Sequence, residues 1–571
     1  METRGWLLAA SLTAAALAIA CGAESTDTDT DKPQTTESSP ATAAPGAELT
    51  VTPDTQTMPA ADGSPSPTAG ALPFTFELVE QHPSADLPAL HSYLAAPARD
   101  GRILIVGGRT QGLHGMFPPP IDNFPKERQN PFMYVIDPNT AQTWEFDVRD
   151  LPDELHEALR VSNPQGFYDH ATDRFTMAGG YGWNIEGTNM LTLDTLIHFD
   201  VSDMIDAIAV SNPNAQKIAG LMTMIRDDFF AVTGGALKKI GNAFFLVMGQ
   251  KFEGQVRAFG VEGFEQKYTE EVRVFTLTPD GKQILTKSAL TSSETDRPYH
   301  RRDVNVVESV NPLTGNLRIA VLGGVFPPGV LGAYTNPIYI EQDTTVKVDR
   351  SVDQLFSQYE CAVLPAYDAV EKTVYHTMVG GISSHYFHET VEQDCVRANR
   401  TKQGFNDGLP FISDITTILQ KVDGSYEQWI HVNPIPPKTD PRPCPNPWPD
   451  KPELCANLEN QCPRTPCAES GMRACNTLVG ASIELIPNIA LLPDGKMEPL
   501  GVLRLDRLQP GERVLAGYVF GGLESDFPLP LRPGCGTCAS NRLLHAYVTR
   551  TPEAAYPASM GQKSVQNLSG R

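Results

Sequence analysis

The chain has 571 residues, with 45 Lys+Arg against 68 Asp+Glu, and a formal net charge of −23. So acidic a balance excludes the basic footprint that a nucleic-acid binder needs. The 48 prolines and 46 glycines predict many turns and few long helices.

Residues 1–20 read as a signal peptide. Arg4 lies near the start, and an Ala- and Leu-rich apolar run follows, too short for a spanning helix. The run ends Leu17-Ala18-Ile19-Ala20-Cys21-Gly22. Small residues before a cysteine resemble a bacterial lipobox. The resemblance implies cleavage before Cys21, with lipid on its sulfur and on the new amino terminus. Gly22 rather than Asp after the cysteine fits an outer-membrane lipoprotein facing the periplasm or the cell surface. Residues 21–72 are rich in Thr, Ser, Pro and Ala with almost no large apolar side chains. Such a stretch cannot offset its ordering entropy and is expected to be a disordered tether.

Beyond the tether one unit recurs. An apolar run stops at two glycines in Ile103-Leu104-Ile105-Val106-Gly107-Gly108, Phe175-Thr176-Met177-Ala178-Gly179-Gly180 and Ile319-Ala320-Val321-Leu322-Gly323-Gly324. It returns in His376-Thr377-Met378-Val379-Gly380-Gly381 and Gly517-Tyr518-Val519-Phe520-Gly521-Gly522. A degenerate copy, Phe245-Leu246-Val247-Met248-Gly249-Gln250, aligns by its glycine at 249. Short apolar runs bounded by glycine read as buried strands, and their recurrence reads as a repeat architecture. In the first unit, Tyr134-Val135-Ile136-Asp137-Pro138 and then Trp144 supply the third and fourth strands. The third unit is expected to begin at Phe229-Phe230-Ala231-Val232, the fourth at Asp303-Val304-Asn305, the fifth at Tyr359-Glu360-Cys361 and the sixth at Ser482-Ile483-Glu484.

This order resembles the kelch-repeat, galactose-oxidase-like β-propeller superfamily over most of residues 73–550. The resemblance implies an all-β propeller, with six blades on the glycine count and seven the alternative. Kelch units run about 50 residues, so the longer spacing here puts the excess in loops. Only three strands are visible in the last unit. Phe74-Thr75-Phe76-Glu77-Leu78-Val79 is expected to supply the fourth and close the ring. Residues 551–571 read as a flexible tail.

Propeller loops converge on one face, which nominates Arg109, His114, Trp183, Gln250 and Lys251 as ligand-binding residues beside the polar cluster His300, Arg301, Arg302 and Asp303. Paired guanidiniums suit a carboxylate, sulfate or sugar acid, and aromatic and amide groups around a cavity suit a glycan or peptide. The bland reading is that these side chains tie blades together. His385 and His388 with Glu389 have no third spaced ligand, so no metal is assigned. The copper set of galactose oxidase cannot be placed, so no cofactor is expected and catalytic residues stay unknown. Five cysteines, Cys444, Cys455, Cys462, Cys467 and Cys475, crowd a Pro-rich insert at 436–477; Cys361, Cys395, Cys535 and Cys538 complete the set after Cys21. Export favours disulfides among them, and nine is odd. The resulting expectation is a membrane-anchored, ligand-binding propeller for a glycan, peptide or protein. An exported galactose-oxidase-like or carbohydrate-active enzyme is the alternative.

Overall fold

A computed structural model describes residues 72–552 and 562–565, apart from 84, 258–262, 329–331, 389–393, 398–409, 432, 439–443, 447, 455–477, 480–481, 490–491, 493–494, 499 and 526–534. The expectations for the signal peptide, Cys21, the tether, Cys455, Cys462, Cys467, Cys475 and most of the tail lie outside the described residues. So do the side chains of Cys395 and His388.

Six antiparallel four-stranded units, each meeting its neighbours through its innermost strand, make a six-bladed β-propeller. Blade one runs outward through His91–Pro97, Ile103–Arg109, Phe132–Ile136 and Thr143–Asp147. Blade two uses Gln165–Asp169, Arg174–Ala178, Thr195–Asp200 and Thr223–Arg226. Blade three uses Ala236–Ile240, Ala243–Val247, Glu271–Leu277 and Ile284–Thr291. Blade four uses Asn305–Val310, Leu317–Leu322, Ile338–Glu341 and Val346–Val348. Blade five uses Ala362–Asp368, Thr373–Val379, Ile415–Gln420 and Tyr426–His431. Two further strands widen it, Leu503–Arg504 on the inside and Gln562–Val565 on the outside. Blade six takes Glu484–Pro487, Arg513–Phe520 and Leu543–Arg550, then Phe74–Glu80 from the other end of the chain.

The second strands are nearly continuous apolar runs because a neighbouring blade covers each face. Ile103–Arg109 and Thr373–Val379 are buried throughout. The closing strand instead alternates. Phe74, Phe76 and Leu78 turn into a cluster with Tyr375 and Trp429 of blade five, while Glu77 stays exposed.

Several expectations are corrected. Blade three does not begin at 229–232: Asp227 accepts the Phe229 N–H at 3.0 Å and caps a short 3-10 turn at Asp228–Phe230. The strand starts at Ala236, after Gly234 and Gly235 have turned the chain. The degenerate third glycine pair is Met248–Gly249, one residue earlier than its aligned glycine, since Met248 itself takes φ +55°. The excess length is not only loop. Helices Val201–Ile208 and Ala215–Leu221 lie between the outer strands of blade two. A separate four-stranded sheet joins segments that follow the glycine pairs of blades two and three.

Cys361 is free and buried, sharing a contact with Asn305 Nδ2 at 3.5 Å inside a blade-to-blade core, so it is no disulfide partner. Cys444 bonds Cys538 rather than another cysteine of its insert. Cys535 is also disulfide-bonded. The insert thereby docks on its neighbours: Trp448 Nε1 donates to Asp122 O at 3.0 Å, and the indole meets Phe117 edge-on at 5.1 Å.

Candidate functional site

The glycine pairs position the site. The first residue of each pair has φ between +55° and +72°, the second between +88° and +97°. The second range is closed to L side chains, which explains why glycine is invariant there and replaceable by Met248 at the first place. The second glycine's N–H reaches the next blade. Gly108 donates to Val161 O at 2.7 Å, Gly180 to Val232 O at 2.9 Å, Gly249 to Arg301 O at 3.0 Å and Gly522 to Leu90 O at 2.8 Å.

Two residues after each of these acceptors stands another left-handed residue. They are Ser92, Asn163, Gly234 and Asp303, and Glu360 and Ser482 hold the same place in blades five and six, all with φ between +47° and +65°. Five of the six carry a side chain in a conformation that costs a non-glycine residue about 1–2 kcal/mol. Backbone bonds link neighbours round the ring: Asn163 N to Ser92 O at 3.0 Å and Asp303 N to Gly234 O at 2.8 Å.

The six residues rim a cavity of about 280 Å3 on the propeller axis, walled by the innermost strands. The rim is polar. The far end carries Pro97, Pro365 and Pro487 beside the Lys238–Glu308 pair, and the loop of blade six brings Ile489 and Leu500 to it. Leu500 packs against the hydrophobic cluster of blades two and three that includes Phe167 and Leu237.

Charge in the cavity is one-sided. Its described lining includes the carboxyls of Asp303, Glu308, Glu360 and Glu484 against one ammonium, Lys238, which lies 3.2 Å from Glu308. Burial pushes the Glu484 carboxyl up to about 7, against the pull of Lys238. Glu360 is partly buried. Burial, and after it the Asp303 carboxylate, hold Glu360 well above the usual carboxyl range. Ser482 Oγ donates to Glu360 Oε2 at 2.7 Å. Asp303 Oδ2 accepts from Arg302 Nε at 3.2 Å, and its Oδ1 leans over Gly234, where a Cβ would meet it at 3.0 Å.

Of the nine nominated residues, Asp303 lines the cavity. Arg302 stands behind it, donating to Tyr268 OH at 2.9 Å and Gln250 Oε1 at 3.3 Å, over the Phe326 ring. His114 stacks on Phe124 with centroids 4.9 Å apart, and burial lowers its pKa. His300 stacks on Tyr268 and pairs with Glu270 at 2.9 Å. Arg301 is 1% exposed and donates to three carbonyls, Pro298, Gly323 and Asn336, at 2.8–2.9 Å. Arg109 is equally buried, donates to Gln111 and Pro125, and lies 5.0 Å from the Phe124 centroid. Trp183 Nε1 donates to Phe124 O at 2.9 Å, and exposed Lys251 pairs with Asp228 at 2.5 Å. Ser92, Asn163, Glu360, Ser482, Glu484, Lys238 and Glu308 escaped the sequence reading. Their shared signal is position, directly before or within each innermost strand. No described group of three or more His, Cys, Asp or Glu is arranged to hold a metal ion.

No family model and no curated protein matches the sequence. Among solved structures the chain is similar to a novel fungal alcohol oxidase of the AA5 family in complex with copper. They share 10% identity over 64% of this chain and 72% of that one, with a TM-score of 0.31. It is also similar to YjhT, with 10% identity over 62% of this chain and 92% of that one, again with a TM-score of 0.31. Likeness at that level carries no argument about activity.

Proposed function

We propose that the protein is an exported, membrane-anchored propeller that binds a carbohydrate in its axial cavity. The cavity carries this reading: about 280 Å3, with Ser, Asn, Asp and Glu at the rim and both apolar side chains and the Lys238–Glu308 pair beyond it, the mixture by which small polar ligands are oriented and desolvated. Ser, Asn, Asp and Glu at the rim offer both donors and acceptors to sugar hydroxyls. The Asn163 amide makes no hydrogen bond among the described residues and is available to a ligand.

The anchor rests on residues 1–22 of the sequence. The chain enters blade six at Phe74, level with Arg550, whereas the rim end of that blade is marked by Gly521 and Gly522. A lipid on Cys21 would therefore attach to the body, through the tether, at the end of blade six opposite the rim. Cys21→Ala should release the protein into the soluble fraction, and retention of unlipidated protein on the membrane would defeat the anchored reading.

The enzyme alternative has less support. The two rim carboxyls are already engaged, Asp303 accepting from Arg302 at 3.2 Å and Glu360 from Ser482 at 2.7 Å. The test is a glycan array probed with wild type and Asn163→Gly. Glycine suits the left-handed backbone there, so the variant removes the amide without strain. Binding weakened by Asn163→Gly supports the cavity; no binding by wild type, or binding indifferent to the change, overturns it.

A further inference from the structure

We infer that the carbohydrate held in the cavity bears an amino group, whose ammonium is held at the rim by Asp303 and Glu360. This rests on the carbohydrate-binding reading and narrows its ligand class.

The sign of the cavity is the first reason. Four carboxyls face one ammonium, and that ammonium is already paired with Glu308. Arg301 and Arg302, which the sequence offered as an anion clamp, do not line the cavity. Arg301 is taken up by three backbone carbonyls, and Arg302 approaches Asp303 through Oδ2. An anionic sugar would meet uncompensated carboxyls; a cationic one would meet partners.

The second reason is the pair itself. Asp303 from blade four and Glu360 from blade five hold equivalent places on the rim in neighbouring blades and both line the cavity, so one cation there can be shared by both carboxyls. The groups facing Glu360 are Asp303 with Arg302 behind it, Ser482 and Glu484 of blade six, and Tyr359 on its own strand lead-in. Arg302 compensates one negative charge and leaves the other to a ligand.

A third, independent feature lies across the ring. Gln165, 1% exposed, lines the same cavity. Its Nε2 donates to Asn163 O at 2.5 Å, and its Oε1 has no partner. A buried acceptor without a donor costs about 1–3 kcal/mol, and a ligand N–H or O–H would relieve it. An ammonium brings three donors and no acceptor, and an amino sugar adds hydroxyl donors a few atoms away. The only bond that changes is a carboxyl O–H: as the ammonium enters, a protonated Glu360 passes its proton to the buffer and binds as the carboxylate.

The experiment is calorimetric titration of the lipid-free body with D-glucosamine, D-glucose and N-acetyl-D-glucosamine. Each is run near neutral pH in two buffers of different ionisation enthalpy. Glucosamine is expected to bind at least about tenfold tighter than the other two, the worth of one charge-assisted hydrogen bond, and to release about one proton per sugar. Glu360→Gln should abolish the release and narrow the preference, with its thermal midpoint reported alongside. If glucose and N-acetylglucosamine bind as tightly, or glucosamine binds with no proton release in wild type, the amine inference falls while sugar binding stands. If none of the three binds, both fall.

Discussion

Phe74 stands directly opposite Arg550 in the outermost pair of blade six, so the first described strand is held by the last strand of the propeller body. The pairing runs to Glu80 opposite Leu544, and it leaves no seam between the first and sixth blades. A ring closed this way has its ends tied by hydrogen bonds that no local segment can make alone.

Deleting residues 74–79 should therefore lower the thermal midpoint sharply or abolish a single cooperative transition. Removing residues 24–70 should leave unfolding unchanged. A gentler probe is Phe76→Ala, which empties a site 3% exposed in the cluster with Trp429 and should cost about 3–5 kcal/mol in denaturant titration. Equal tolerance of both deletions would contradict closure by this strand.

The glycine pairs are joints between blades, and two substitutions separate that role from backbone strain. Gly108 has φ +95°, and a Cβ there would meet His91 O at 2.8 Å and Tyr93 Cβ at 2.9 Å. Gly241 has φ +59° with nothing within 4 Å of its added Cβ. Gly241→Ala should cost about 1 kcal/mol and Gly108→Ala at least about twice that. Similar losses in urea titrations of the two variants would contradict the joint.

Non-reducing peptide mapping should recover Cys444 linked to Cys538, whose Cα atoms are 5.3 Å apart. Burial pushes the Cys361 thiol up to about 12, so iodoacetamide should modify it only after denaturation. Rapid labelling of Cys361 in the native protein would refute its place in the core.

Burial, with Arg318 as the second cause, lowers His376 to about 3. The unfolded side chain, near 6.5, then binds more protons than the folded one between about pH 3 and 6.5. Stability from this group is present above 6.5 and lost as pH falls through that window. His376→Gln lacks the loss. Its stability relative to wild type should rise by up to about 3 kcal/mol between pH 7 and pH 4 in denaturant titrations. A pH-independent difference would show that His376 takes up its proton in the folded state.

The repeat and its closure were legible because they use local chemistry: apolar runs, paired glycines, and Phe, Phe and Leu alternating at 74, 76 and 78. The third joint slipped by one residue because Met248 occupies a left-handed place that sequence assigns to glycine. The rim was hidden for a different reason. Its six residues are Ser, Asn, Gly, Asp, Glu and Ser, alike only in backbone conformation and in their place before an innermost strand. Charge-bearing residues next to Asp303 drew attention first, yet Arg301 and Arg109 stabilise loops by donating to carbonyls and side-chain amides. Glu360 offered no motif, because its neighbour Asp303 comes from another blade.

The most direct measurement is hydrogen–deuterium exchange of the folded body with and without the sugar that raises its thermal midpoint most. Protection is expected at the rim and the starts of the innermost strands, in peptides spanning 92–95, 163–167, 303–307, 360–363 and 482–485, with the outer strands unchanged. Protection confined to outer strands or to the insert, or none with any sugar tested, would contradict ligand binding in the axial cavity.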